Sequence, residues 1–190
     1  KDGDGNGWAD FKGEKRSNET HESKTDPEAR LARKGNGRAA QLCYSGHALM
    51  ENRNGLITDF EVCEASGTAE RRVAIEMIEK TPGETATLGA DKGYDTKDFI
   101  ADCEDRGVTP HVARNQSGRR TSAVSDEIAH SPTYAMSQVV RRRIEQIFGW
   151  MKEVGGLRRT RYRGQARVRA HGQLVAAAYN LLRIAKLLPA

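Results

Sequence analysis

The sequence predicts a mixed α/β fold in which helices cover the faces of a sheet. Short β-like runs alternate with stretches whose apolar residues recur every three or four positions, and Gly, Pro, Thr or Ser residues mark each change of period. The resulting order is strand, strand, helix, strand, helix, strand, helix, helix, which calls for a mixed sheet with helices on its faces. No internal repeat interrupts that order.

Residues 1–38 are polar and rich in Gly, Asn, Lys and Glu, with Trp8, Phe11 and Leu31 isolated among them, so they read as an irregular arm before a core at 39–190. Ala40–Leu49 and Leu56–Ala65 are β-like runs joined by Glu51-Asn52-Arg53-Asn54-Gly55, and the Asn-Gly pair predicts a hairpin. Thr68 is placed to cap a helix with Glu70 in its first turn. Val73, Ala74, Met77 and Ile78 share one face of it until Pro82-Gly83. Thr85 to Ala90 is a short strand ending on Asp91. Thr96 then caps a helix that buries Phe99, Ile100 and Cys103 and stops at Gly107, and Val108–Ala113 is the last strand. Beyond the polar stretch Asn115–His130, Ser131 as cap and Pro132 at the first helical position open a helix expected to run unbroken to Gly155-Gly156. A final helix from Arg167 to Leu188 is expected to bury His171, Leu174, Val175, Ala178, Leu181, Leu182 and Ala185.

With 190 residues, one core is the default; 37% hydrophobic and 30% charged residues fit a soluble globular protein, and no apolar run is long enough to span a membrane. The first ten residues lack the pattern of a secretion signal or transit peptide. Cys43, Cys63 and Cys103 are odd in number and widely spaced, which favours free thiols in a reducing cytoplasm over a zinc or redox motif. Charge is the sharper signal. Residues 1–138 hold 19 Lys/Arg against 24 Asp/Glu, whereas residues 139–190 hold 12 against 2, a net of +10. A concentrated positive field of this kind suits a polyanion such as DNA, although a solvated basic helix has the same composition.

Two carboxylates stand out. In the helix after Pro132, Val140, Ile144, Ile147, Met151 and Val154 form the expected core stripe. Arg141, Glu145, Phe148 and Lys152 repeat that spacing about 100° around the helix, so Glu145 lies at the edge of the buried face. An ion-pair ladder is the bland reading of this stripe. Arg141, Arg142 and Arg143, crowded into one turn, repel one another unless an anion approaches, and a phosphate backbone is such an anion. Asp91 ends a strand, where open α/β sheets build their sites, with Gly93 to permit a tight turn and Lys92 and Tyr94 to flank it. Carboxylates from a strand end and a helix suit Mg²⁺ or Mn²⁺. Two such ions clamp an in-line phosphoryl transfer while Arg and Lys hold the phosphates.

Five segments carry a family resemblance: Thr25-Asp26-Pro27-Glu28-Ala29-Arg30-Leu31, Gly46 to Gly55, Gly67-Thr68-Ala69-Glu70-Arg71-Arg72, Asp91-Lys92-Gly93-Tyr94-Asp95 and Arg143 to Lys152. Together they resemble the insertion-sequence-five-like transposases over nearly the whole chain. The resemblance implies a ribonuclease-H-like mixed sheet with flanking helices, and cutting and rejoining of DNA at element ends by an Asp, Asp, Glu triad with Mg²⁺ or Mn²⁺. Asp91 matches the second acid and Glu145 the third, as catalytic and metal-binding residues. Arg141 and Lys152 match the basic members of a Tyr, Arg, Glu, Lys helix signature whose Tyr falls at Gln138, with Tyr134 one turn earlier.

The family's first Asp lies on a strand ahead of the glycine-rich arm, and none of Asp2, Asp4, Asp10 or Asp26 ends an apolar β-like run. The reading therefore expects the first strand and its acid to be missing, as in a truncated copy or one frame of a split element. Lys92, Arg142, Arg143, Arg158, Arg159, Arg161 and Arg163 join Arg141 and Lys152 as expected DNA contacts. The partners expected are element-end and target DNA and further copies of the chain, with no membrane, in the bacterial cytoplasm at the nucleoid. Two alternatives stay open: a catalytically inactive DNA-binding remnant, and a ribonuclease-H-like nuclease that hydrolyses without strand transfer.

Overall fold

A computed structural model describes residues 17–33, 39–81, 86–116 and 121–188, with the backbone of 10–11 and 14–15. The expected stop at Pro82-Gly83 and Asp2 and Asp4 lie outside the described residues. Strands β1 (Asp10–Phe11) and β2 (Glu14–Lys15) pair antiparallel in the arm. β3 (Arg30–Ala32), in a stretch expected to be irregular, pairs antiparallel with the first residues of β4 (Gln41–Met50), and β4 pairs antiparallel with β5 (Ile57–Glu64). The hairpin turn is held by more than its Asn-Gly pair. The Glu51 carboxylate accepts from the backbone N–H groups of Arg53, Asn54 and Leu56 at 2.8 to 2.9 Å, and Gly55 takes φ +74°.

Helix α1 (Ala69–Lys80) follows, capped by Ser66, whose hydroxyl accepts from the Ala69 N–H, while Thr68 makes no side-chain cap bond. β6 (Thr87–Ala90) and β7 (Thr109–Val112) are parallel, linked through α2 (Lys97–Glu104), which Thr96 caps as expected and which buries Phe99, Ile100 and Cys103. The polar stretch holds a short helix, α3 (Asp126–Ala129), capped by Ser125. Burial raises the Cys103 thiol to about 11, so it is a packing group and no nucleophile at neutral pH.

The long helix expected after Pro132 is two: α4 (Pro132–Val140) and α5 (Arg143–Glu153), with the break at Arg141-Arg142. The halves serve different cores. α4 lays Tyr134 and Ser137 on β7, with the Tyr134 hydroxyl donating to the Val112 carbonyl at 3.0 Å, whereas α5 buries Ile147 and Met151 against β5 and the last helix. Val154, expected in the core, is 68% exposed because the chain turns away at Gly155 and Gly156.

That last helix, α6 (Gln165–Leu187), has the expected period and a different phase. It buries Val168, Gly172, Val175 and Ala176, so of the expected face only Val175 is fully buried, and Leu174 and Leu181 are 71% and 69% exposed. Close approach explains the rotation. Gly172 and Ala176 let the helix axis come down on β5, where Phe60 takes the room a larger side chain would fill. One cluster joins α1, β6, α2 and β7, and another joins β4, β5, α5 and α6.

Two buried histidines tie these layers together. His47 Nε2 lies 3.2 Å from Cys63 Sγ across the hairpin, and His111 Nδ1 lies 2.7 Å from the Ser137 hydroxyl. Burial holds both imidazoles below the ordinary histidine range. Both regain a value near about 6.5 on unfolding, so below that pH the unfolded chain binds more protons than the folded one. Stability should be full above about pH 6.5 and fall as the pH drops, by up to about 1.4 kcal/mol per pH unit for each histidine. Urea unfolding on both sides of that pH should show the loss, and it should shrink in His47→Gln. An acid slope unchanged in His47→Gln and His111→Gln together would contradict this assignment.

Candidate active site

A cavity of about 650 Å³ opens between β4 and β6. One wall is Gly46–Met50 of β4, the other is Thr87–Ala90 of β6, and Asp91 and Glu145 both line it together with Arg141. Ala74 and Met77 of α1 close one face, and Ile144 and Phe148 of α5 close the other. The two carboxylates singled out in the sequence therefore share one groove.

Asp91 leaves β6 in an extended conformation and caps a 3₁₀ turn, Lys92–Tyr94, its Oδ1 accepting from the Gly93 N–H at 2.7 Å. A Cβ on residue 93 would sit 2.9 Å from Asp91 Oδ1, so a larger residue there would displace the carboxylate. Arg71 of α1 donates to the Gly93 carbonyl, which brings the start of α1 to the carboxyl end of β6. The Tyr94 ring packs on Phe99, and burial, reinforced by Glu70 and Asp91, pushes its phenol above the ordinary tyrosine value, so it stays protonated. Asp95 completes the turn: its carboxylate accepts from the N–H groups of Asn115 and Ala123 at 2.6 and 2.8 Å, pinning the β7 exit beside the groove. Burial opposes ionisation of Asp95, but these donors and Ser122 outweigh it and hold its carboxyl below the usual range.

Glu145 lies in the first turn of α5 and is exposed on the groove, one turn beyond Arg141. Arg141 packs over Gly89, two residues before Asp91, where a Cβ would meet the Arg141 side chain at 3.5 Å. Gln138 holds it in place. The Gln138 amide donates to the His111 carbonyl at 2.7 Å, and its Oε1 accepts from Arg141 Nε at 2.8 Å. This bridge occupies the position where the helix signature has Tyr, and Tyr134, one turn earlier, reaches β7 instead. Gln138→Ala should free the guanidinium without unfolding the chain, which ¹⁵N relaxation of Arg141 Nε would show as increased mobility; an unchanged order parameter would contradict the bridge.

Of the other expected DNA contacts, Lys92, Arg142, Arg143, Lys152, Arg159, Arg161 and Arg163 are exposed. Arg143 also donates to the Asn52 carbonyl, Lys152 Nζ lies 5.7 Å from the Phe148 ring centroid, and Arg158 is paired with Glu153. Glu70, expected in the first turn of its helix and within a segment that carries the family resemblance, also lines the groove. No local pattern marks it, because only the packing of α1 beside β6 turns it inward. Among the described residues no three His, Cys, Asp or Glu side chains converge as a metal site.

Comparison with known families decides the relationship, since the model of the transposase DDE domain matches residues 17–181. The chain belongs to the transposase DDE-domain family. Searches of curated proteins and of solved structures gave no match. The mixed α/β architecture is compatible with a DDE domain, DNA is the partner a transposase implies, and such domains generally use divalent metal ions. No helix among the described residues is long and apolar enough to cross a membrane.

Proposed function

We propose that this DDE domain belongs to a bacterial insertion-sequence transposase of the five-like group, with a ribonuclease-H-like sheet and metal-dependent cleavage and strand transfer at element ends. Asp91 and Glu145 are the second and third acids of its triad. The single observation that supports this most is that Asp91, Glu145 and Arg141 come from a strand end and two helices onto one groove. Hard oxygen donors of this type suit Mg²⁺ or Mn²⁺. Arg141, oriented by Gln138, supplies a fixed positive charge for a phosphate beside the acids. Arg142, Arg143, Lys152 and the run Arg159, Arg161, Arg163 extend that charge over the surface for the DNA backbone.

Binding to a duplex carrying the element end should fall steeply with salt. Replacing Arg141, Arg142 and Arg143 together by Ala should cut the slope of log K against log salt by about 2 to 3, at about 0.9 per phosphate contact. A shallow slope in the parent chain, or no change in the triple variant, would sink the DNA-binding assignment. A second reading, a DNA-binding remnant without catalysis, rests on the net +10 of residues 139–190. On that reading the chain by itself binds DNA and leaves it uncut with Mg²⁺ or Mn²⁺.

A further inference from the structure

Helix α6 has two apolar faces. Val168, Gly172, Val175 and Ala176 are buried, and from the same side Asn180, Arg183 and Gln173 donate to the Ile57, Asn54 and Phe60 carbonyls. Leu174, Leu181 and Leu188 recur at every seventh position, about 160° to 200° around the helix from Gly172. They are 71%, 69% and 65% exposed. Ala178 and Ala185 lie between them and are exposed too, so the spacing alternates between four and three residues. That is the seam of a coiled coil, turned away from the molecule. Leu174, Ala178, Leu181 and Ala185 carry the period that reads as a core face in the sequence, and the fold leaves them in water.

Charge avoids this seam. α6 carries no Asp or Glu, and Arg169 and Arg183 are held on the side of the molecule, by Glu61 and the Asn54 carbonyl. Lys186 lies about 140° around from Leu181. Only Arg167, in the first turn, stands in line with the leucines.

The alternation of sizes decides what covers the seam. Leu, Ala, Leu, Ala, Leu is complementary to its own reverse. In an antiparallel pair of these helices Leu174 lies over Ala185 of the other copy, Leu181 over its Ala178 and Leu188 over its His171, so large side chains meet smaller ones throughout. The match reads the same from either copy, as a twofold axis requires. The alanines let the axes approach to about 8 Å, the near limit of helix packing. Parallel pairing would instead set leucine on leucine and Arg167 on Arg167. The antiparallel pair carries Arg167 to the carboxyl end of the other helix, where the dipole favours a cation.

We propose that α6 is a dimerisation helix, through which two copies of the chain pair their exposed seams antiparallel about a twofold axis near residues 179–180, each leucine of 174 and 181 seated on an alanine of the other copy. The pairing rests on α6 alone and is independent of the groove. From 170 to 188 the seam is about 28 Å long and about 10 Å wide, a footprint of about 300 Å² on each copy. Two such footprints fall short of the roughly 1,200 Å² at which stable complexes begin, so the dimer is weak and forms as concentration rises.

Sedimentation equilibrium of the 190-residue chain in about 0.15 M salt should show monomer at about 10 µM and mostly dimer by about 1 mM. Over that range the amide resonances of Leu174, Leu181 and Leu188 should shift while those of Cys103 and Val112, in the other core, stay fixed. Leu174→Lys and Ala185→Glu alter exposed positions that the monomer does not pack, so circular dichroism should be unchanged while each weakens the dimer at least about tenfold. The double variant sets the introduced ammonium of one copy against the introduced carboxylate of the other, and it should dimerise at least about threefold more strongly than either single variant. Within one helix the two positions are three turns apart and do not pair, so this rescue reports the antiparallel register. A chain still monomeric at about 1 mM, species larger than a dimer, shifts centred away from α6, single variants that dimerise like the parent, or a double variant no stronger than the singles would each overturn the proposal. If a variant does not fold, the resonance shifts of the parent decide.

Discussion

Replacing Gly172 by alanine should destabilise the chain by about 1 to 2 kcal/mol, the roughly 2 to 3 kcal/mol cost of a methyl forced into a packed core less about 1 kcal/mol of helix propensity inside α6. The Cβ would sit 2.1 Å from Phe60 Cε1 and 2.7 Å from Cδ1, well inside van der Waals contact. Gly46 borders the same ring, since a Cβ built there would lie 3.3 Å from Phe60 Cζ. Relief must come from lifting α6 off β5, which opens Val168, Val175 and Ala176 to water. For a chain of this size that corresponds to a fall in Tm of roughly 2 to 8 °C. Gly149→Ala is the matching control, because it lies in α5 with nothing within 4 Å of its Cβ, and it should stabilise by about 0.5 to 1 kcal/mol through helix propensity alone. Calorimetry on both variants checks the pair. A neutral Gly172→Ala would mean that α6 does not sit on Phe60 as described.

The strands and helices were legible where a local signal and the tertiary packing agree. Thr96, Gly107, Ser131 and Pro132 mark ends that depend on neighbouring residues alone, and each marks its end in the structure. The break at Arg141-Arg142 was hidden because the apolar spacing runs through it; only the need of α4 and α5 to serve two different cores bends the chain there. The phase of α6 was hidden for a related reason. Leu174, Leu181 and Leu182 outweigh Gly172 and Ala176 in any count of hydrophobicity, yet close approach to Phe60 favours the small residues. In the site, Asp91 and Glu145 were legible from a strand end and a helical stripe. The bridge from His111 through Gln138 to Arg141 was not, since it joins residues 27 positions apart through a backbone carbonyl.

The groove gives those two acids their meaning, and their substitution should have the largest functional effect. Asp91 accepts from the Gly93 N–H through Oδ1, and no hydrogen bond among the described residues reaches its other oxygen. Asp91→Asn therefore keeps the acceptor and the turn while removing the charge, and Glu145→Gln does the same on an exposed first-turn position of α5. Neither change touches the core, so folding and affinity for element-end DNA should stay within about threefold. Cleavage should not survive. Loss of a fixed group that acts on the transition state costs about 10²- to 10³-fold. The most direct measurement is strand cleavage and transfer at an element end, with Mg²⁺ or Mn²⁺, by an active transposase polypeptide that carries this domain. The expected result is that Asp91→Asn and Glu145→Gln each bind the DNA normally and lose about 10²- to 10³-fold in cleavage. Cleavage within about tenfold of the parent in either variant, with binding intact, would contradict the assignment of this groove as the active site.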